Sequence, residues 1–252
     1  MSTEPEKKPL TLMVSSTVYG IEELLEKIYA TLTAFGYDVW MSHKGTLPVS
    51  STRTAFENCL HGVEQCDLFF SLITPQYGSG VPGKGELSIT HEELLKAIEL
   101  NKPRWILAHS DVVFARTLLM NLGHDTAEKR AALGLKKNKV IDDLRVIDMY
   151  EAAIRHDVQM PDRKGNWVQK IVNADDALLY ASSQFFRYQE AESFVAEHLR
   201  DPQAVARKLK ERKQPGSATC CCSRLRRAKV CTPSSSSAWP TLTRWRRWCV
   251  RS

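Results

Sequence analysis

Residues 10–20, L-T-L-M-V-S-S-T-V-Y-G, decide how the rest of the chain is read. A short apolar strand runs straight into Ser15, Ser16 and Thr17, then Tyr19 and Gly20. From Ile21 the pattern turns helical, with Leu24, Leu25, Ile28 and Leu32 at helical spacing. A strand ending in small hydroxyl residues at a helix mouth is where an α/β protein binds anions, because the first amide hydrogens of the helix lack intrahelical partners. Two readings stand, a ligand loop or a serine-capped helix. The glycines and lysine of a Walker loop are absent, and so is a G-x-G-x-x-G fingerprint.

Outward from that stretch, strand and helix alternate. Residues 37–41 read as a second strand and 51–66 as a helix with Ala55, Cys59, Leu60 and Val63 on one face. Leu68–Ile73 is an apolar run of strand length, as expected of a strand buried on both faces of a parallel sheet. Residues 74–87 carry Pro75, Gly78, Gly80, Pro82, Gly83 and Gly85 and read as a long, flexible loop. A helix over 90–101 and a fourth strand over 104–108 follow. Four strands with helical crossovers predict an α/β fold, a flavodoxin-like doubly wound parallel sheet. In the strand order 2-1-3-4 the switch point lies between the first and third strands. The Ser/Thr/Gly-rich loops 15–20 and 74–85 would then face each other across one crevice.

The second half predicts helices over 112–122 and 140–154, a turn at 162–166, and further helical stretches beginning at Trp167, Ile171 and Val172 and at Glu190. Asp201-Pro202 reads as another helix start, leading through Lys213. The expected division is an α/β domain over 9–110, an α-helical extension over 111–213 and a basic tail over 214–252. Residues 1–213 hold 27 basic and 29 acidic side chains, while 214–252 hold eight basic side chains and no acid, so the formal net charge of +6 comes from the tail. The main body gives no whole-domain electrostatic case for nucleic acid. The tail, with three consecutive cysteines, a four-serine run and the Arg-Trp alternation of 244–248, reads either as a basic-aromatic arm for nucleic acid or an anionic membrane, or as non-native sequence without structure.

Only Cys59 and Cys66 lie in the main body, which suggests a reducing compartment. Residues 1–9 lack the apolar core of a signal peptide and no run is long enough to span a bilayer, so a cytoplasmic protein is expected. His43, His61, His91, His109, His124, His156 and His198 are scattered, without H-x-x-x-H or C-x-x-C pairs in the body, so no metal site is expected. Asp67 begins the third strand, at the end opposite the crevice, and reads as structural. His109 and Asp111 follow the fourth strand at its carboxyl end.

The most informative candidate is Ser88-Ile89-Thr90-His91-Glu92-Glu93. Thr90 with Glu93 three residues on is a capping-box pattern; alternatively Glu93 is a catalytic carboxylate at a helix mouth opening into the crevice. V-S-S-T-V-Y-G at 14–20, C-D-L-F-F at 66–70, Q-Y-G-S at 76–79 and S-I-T-H-E-E-L-L-K-A at 88–97 occur in order. Together they resemble the domain-of-unknown-function 4062 (DUF4062) family over residues 9–110. That family in turn resembles Toll/interleukin-1 receptor (TIR) domains and nucleoside deoxyribosyltransferases, and is found in bacteria at the front of predicted ATPase or repeat-bearing defence proteins. Thr90, Glu93 and Ala97 form a T-x-x-E-x-x-x-A string similar to the deoxyribosyltransferase segment with the nucleophilic glutamate, although 85–89 replace its tight D-x-G-T turn.

The resemblance implies an intracellular domain that binds a nucleotide or nucleoside and cleaves its N-glycosidic bond, NAD being a candidate substrate and no separate cofactor being needed. Glu93 would be catalytic, because a carboxylate can stabilise or trap the charge developing on the ribose. Ser15, Ser16 and Thr17 would hold a phosphate or ribose hydroxyl, Tyr19 or Tyr77 would stack on the base, and Gly78 and Thr90 would line the site. The alternative is a non-catalytic TIR-like signalling or interaction module, with self-association into a homo-oligomer.

Overall fold

In the computed structural model, residues 9–78, 87–134, 140–186 and 188 are described. The chain divides into two units, Met1–Pro202 and Gln203–Ser252, and all described residues belong to the first. The expectations for 190–213 and for the tail lie outside the described residues.

Thr11–Ser16 forms β1 and Leu68–Ile73 forms β3, the two long buried strands at the middle of the sheet. Asp38–Trp40 (β2) pairs with β1 on one side, Arg104–His109 (β4) with β3 on the other, and Val168–Ile171 (β5) with β4. All four pairings are parallel and the order is β2-β1-β3-β4-β5. This is the doubly wound α/β fold expected, with the switch point between β1 and β3.

The fifth strand corrects the helical reading of Trp167 to Val172. Val168-Gln-Lys-Ile171 has only four residues, and Trp167 with Ile171 mimics a helical i,i+4 pair. Pairing with β4 over Ile106–Val168 to His109–Ile171 decides for strand, so the sheet draws on chain beyond residue 110.

Glu22–Ala34 (α1) and Ala174–Phe185 (α7) cover one face of the sheet. Ala55–Gln65 (α2), Ile89–Glu99 (α3), Ser110–Asn121 (α4) and Arg145–Ala153 (α6) cover the other, with the short Ala127–Ala132 (α5) beside them. Strand residues alternate between the two cores, as a two-residue period requires: Leu12 and Val14 pack under α1, Met13 under α2. On the α1 face Phe185 closes the core. Its ring meets Trp105, Phe70 and Tyr37 at 4.8, 5.3 and 5.7 Å between centroids, and its carbonyl accepts from the Tyr37 hydroxyl at 2.9 Å. On the other face Arg130, buried, reaches Asp148 at 2.5 Å and Glu151 at 2.7 Å and ties α5 to α6.

At the amino edge Asp67 accepts from both the backbone amide and the hydroxyl of Thr11 at 2.8 Å, which fastens the start of β1 to the entry of β3. That contact is structural and lies far along the strands from Ser15.

Candidate functional site

The start of α3 determines where Glu93 points. Ser88, not Thr90, is the N-cap; its hydroxyl accepts from the amide of His91 at 3.3 Å. Thr90 and Glu93 are therefore one position and one turn inside the helix, and the capping box expected for them does not form. The same T-x-x-E spacing does make one at Thr54 and Glu57 on α2, where both reciprocal bonds are present. With its amide bonded in the helix, Glu93 turns its side chain to the sheet and is 4% exposed.

There the Ser15 hydroxyl donates to Glu93 Oε2 at 2.5 Å. The Cys59 thiol of α2 interacts with the same carboxyl. Burial pushes Glu93 up to about 7, against the opposing pull of those two side chains. Among the described residues no cation is paired with it. Burial, followed by the Glu93 charge, pushes Cys59 up to about 12, so this thiol is a donor and not a nucleophile at neutral pH.

A fourth polar group was not singled out in the sequence. Ser71 pairs with Ser15 across the β1–β3 ladder, fully buried, and its hydroxyl has no hydrogen-bond partner among the described residues. The signal was present: a hydroxyl at the centre of L-F-F-S-L-I, four residues into the strand as Ser15 is five into its own. Registering the two strands places both hydroxyls on the α2/α3 side, with Met13 and Phe69.

The other expected ligand residues separate. Ser16 follows Ser15 on an extended strand and so points to the opposite face, its hydroxyl bonded to the Thr17 carbonyl at 3.0 Å. The Ser15 and Ser16 hydroxyls thus serve opposite faces of β1. Thr17 lies against Gly78, whose φ is +84°; a Cβ there would come within 2.9 Å of Thr17 Oγ1, so the β1 and β3 loops touch at this point. Tyr77 is 3% exposed and part of the wall. Ser88 N–H donates to its hydroxyl at 3.3 Å, the hydroxyl shares a hydrogen bond with His91 Nδ1 at 2.8 Å, and the Arg145 guanidinium covers its ring at 4.6 Å. Burial holds His91 down at about 4, so the ring is neutral at pH 7. Thr90 is buried, whereas Tyr19 stands 75% exposed.

Tyr19 instead borders a hollow of about 630 Å³ at the carboxyl edge on the α1/α7 side. Leu72, Ile73, Ile171 and Ala174 supply apolar lining, with Thr74, Gln76, His109 and Asn173 around them. A larger hollow, about 790 Å³, lies by Arg104, Trp105, Trp167 and Tyr180, toward the amino ends of β4 and β5 and away from Glu93. Among the described residues no group of three or more His, Cys, Asp or Glu side chains is placed to hold a metal ion, and no helix is long and apolar enough to cross a membrane.

One protein-family model, described as "Domain of unknown function (DUF4062)", matches residues 11–159, more than half of the chain. No curated protein matches the sequence.

Proposed function

We propose that this chain, which belongs to the DUF4062 family, is a nucleotide- or nucleoside-binding domain whose Glu93 cleaves an N-glycosidic bond, NAD being one candidate substrate. One observation carries the reading: Glu93 is a buried carboxyl near the carboxyl ends of β1 and β3, donated to by Ser15 and flanked across the ladder by the Ser71 hydroxyl, and among the described residues Glu93 has no cation and Ser71 no hydrogen-bond partner. A buried acid with a pKa near 7 exists in both forms at neutral pH. The neutral form can protonate a departing base, and the charged form can stabilise or trap the ribosyl cation left behind. Ser71 would donate to a ribose hydroxyl. The likeness of the Thr90–Glu93–Ala97 string to the deoxyribosyltransferase segment supports the assignment, and the family resemblance suggests the setting, a bacterial defence or stress system in the cytoplasm.

The test is incubation of the full chain with NAD and with nucleosides, followed by chromatography of the released base. Wild type is expected to release nicotinamide or free base and Glu93→Gln to fall to background, a loss of at least about a hundredfold for a catalytic acid. Identical background release from both would overturn it.

The enclosure of Glu93 favours a second reading, a TIR-like signalling or interaction module without turnover. Ligand-dependent thermal stabilisation with no product would support that one.

A further inference from the structure

The larger hollow, about 790 Å³, gathers aromatic side chains from two strands and a helix. Trp105 of β4 and Trp167, immediately before β5, reach it from the sheet, and Leu179 and Tyr180 from α7. The register explains why both indoles face one way. Ile106 pairs with Val168, so Trp105 and Trp167 are neighbours one rung earlier. Val168 packs into the α2/α3 core and Trp105 into the α1/α7 core, and the two-residue period turns Trp167 to the same side as Trp105. The Trp105 ring is held there by Phe185 at 4.8 Å and Tyr188 at 5.1 Å. Trp167 and Leu179 are left bare, 72% and 69% exposed. Large apolar side chains exposed together in a hollow with a polar rim mark a binding surface.

The rim carries uncommitted amides. Among the described residues the Gln184 side chain makes no hydrogen bond, and Gln169 donates through Nε2 to the Lys170 carbonyl at 3.1 Å and keeps its Oε1. Charge does not choose the ligand here. The Arg104 guanidinium donates to the carbonyls of Lys102 and Lys164 at 3.2 and 3.3 Å, and Asp176 accepts from the Val172 amide at 2.8 Å. Neighbouring indoles, an aliphatic wall and free amides suit a flat ring that stacks by its face and hydrogen-bonds by its edge.

We infer that this hollow is a nucleobase-type site, in which a neutral, planar nitrogen heterocycle stacks on Trp167 and is held at its edge by Gln169 and Gln184. The site lies toward the amino ends of β4 and β5, away from Glu93, and does not rest on the catalytic reading.

NMR titration of the full chain with 9-methyladenine, which has no glycosidic bond to cleave, tests this; methyl β-D-glucoside serves as a polar ring that is not flat. The adenine is expected to bind with its ring protons shifted upfield by the indole faces, and the Trp167 indole N–H, assigned by its loss in Trp167→Ala, to shift with them. The glucoside should move neither. Trp167→Ala should weaken adenine binding by at least about fivefold, the low end for base–aromatic stacking, and Gln184→Ala by about threefold. The ligand is neutral, so its affinity should hold from low to high salt. Glu93→Gln should leave the affinity unchanged, which separates failure here from failure of the catalytic reading. No upfield shift, equal binding of the glucoside, or full affinity in Trp167→Ala overturns the proposal.

Discussion

Under α2 and α3, the carboxyl of Glu93 and the hydroxyls of Ser15 and Ser71 are sealed among apolar side chains. Under α1 and α7 the core is built of aliphatic and aromatic side chains, with the Tyr37 hydroxyl satisfied by the Phe185 carbonyl, and polar groups gather at the carboxyl edge around an open hollow. The same strands serve both, because Ser15 and Ser16 face opposite ways. One side of the sheet therefore stores a perturbed acid, while the other offers an accessible surface. A site on a doubly wound sheet cannot be read from which residues are adjacent in a loop; the strand period decides which side each one serves.

The largest expected effect tests the apolar side. Phe185→Ala removes the ring that joins Trp105, Phe70 and Tyr37 and should cost about 3–5 kcal/mol by chemical denaturation. A loss below about 1 kcal/mol would mean that the α1/α7 core is not held as its contacts indicate.

The opposite side should show itself in pH dependence. Glu93 is raised from 4.5 to about 7, so between those values the native state holds the extra proton and stability falls as pH rises. His91 is lowered from 6.5 to about 4, so between those values the unfolded state holds the extra proton and stability rises with pH. Between about pH 4.5 and 6.5 the two slopes oppose and the wild-type profile should be nearly flat. Glu93→Gln should uncover the His91 slope and, above pH 7, gain stability on the order of 3 kcal/mol, since each pKa unit is about 1.4 kcal/mol. A Glu93→Gln profile as flat as wild type would put the acid in contact with solvent.

Smaller effects refine the contrast. Gly78→Ala, at positive φ and against Thr17, should cost about 1–2 kcal/mol, and Thr17→Ala should recover only the contact and not the backbone strain. Ser71→Ala removes a buried hydroxyl that has no hydrogen-bond partner among the described residues and should be neutral or stabilising by about 1 kcal/mol, yet slow base release if Ser71 touches substrate. Tyr19→Ala, at the exposed rim, should shift stability by less than about 0.5 kcal/mol.

Much of this architecture was legible in the sequence. The apolar runs of β1 and β3 and the Gly/Ser/Thr loops after them located the switch point, because buried parallel strands leave near-continuous apolar signatures. β5 was not legible: a four-residue edge strand with Gln169 and Lys170 at its centre gains its identity from pairing with β4, not from pattern. Nor was the fate of Glu93. Thr54–Glu57 and Thr90–Glu93 share one local spacing, and only Ser88, two residues upstream, took the capping role from Thr90. The Tyr77–His91 bond and the pairing of Ser71 with Ser15 are tertiary, and periodicity carries no trace of them until strands are set in register.

The segment matched by the family stops at residue 159, whereas the side chain that plugs the α1 face arrives at Phe185, 148 residues after the Tyr37 whose hydroxyl donates to the Phe185 backbone carbonyl. A chain emerging from the ribosome would therefore hold Leu32, Tyr37 and Phe70 without their α7 cover until Phe185 had been synthesised. Its first-made layer is among the last to be finished, and the interval before α7 arrives is when a holding chaperone would have most to cover.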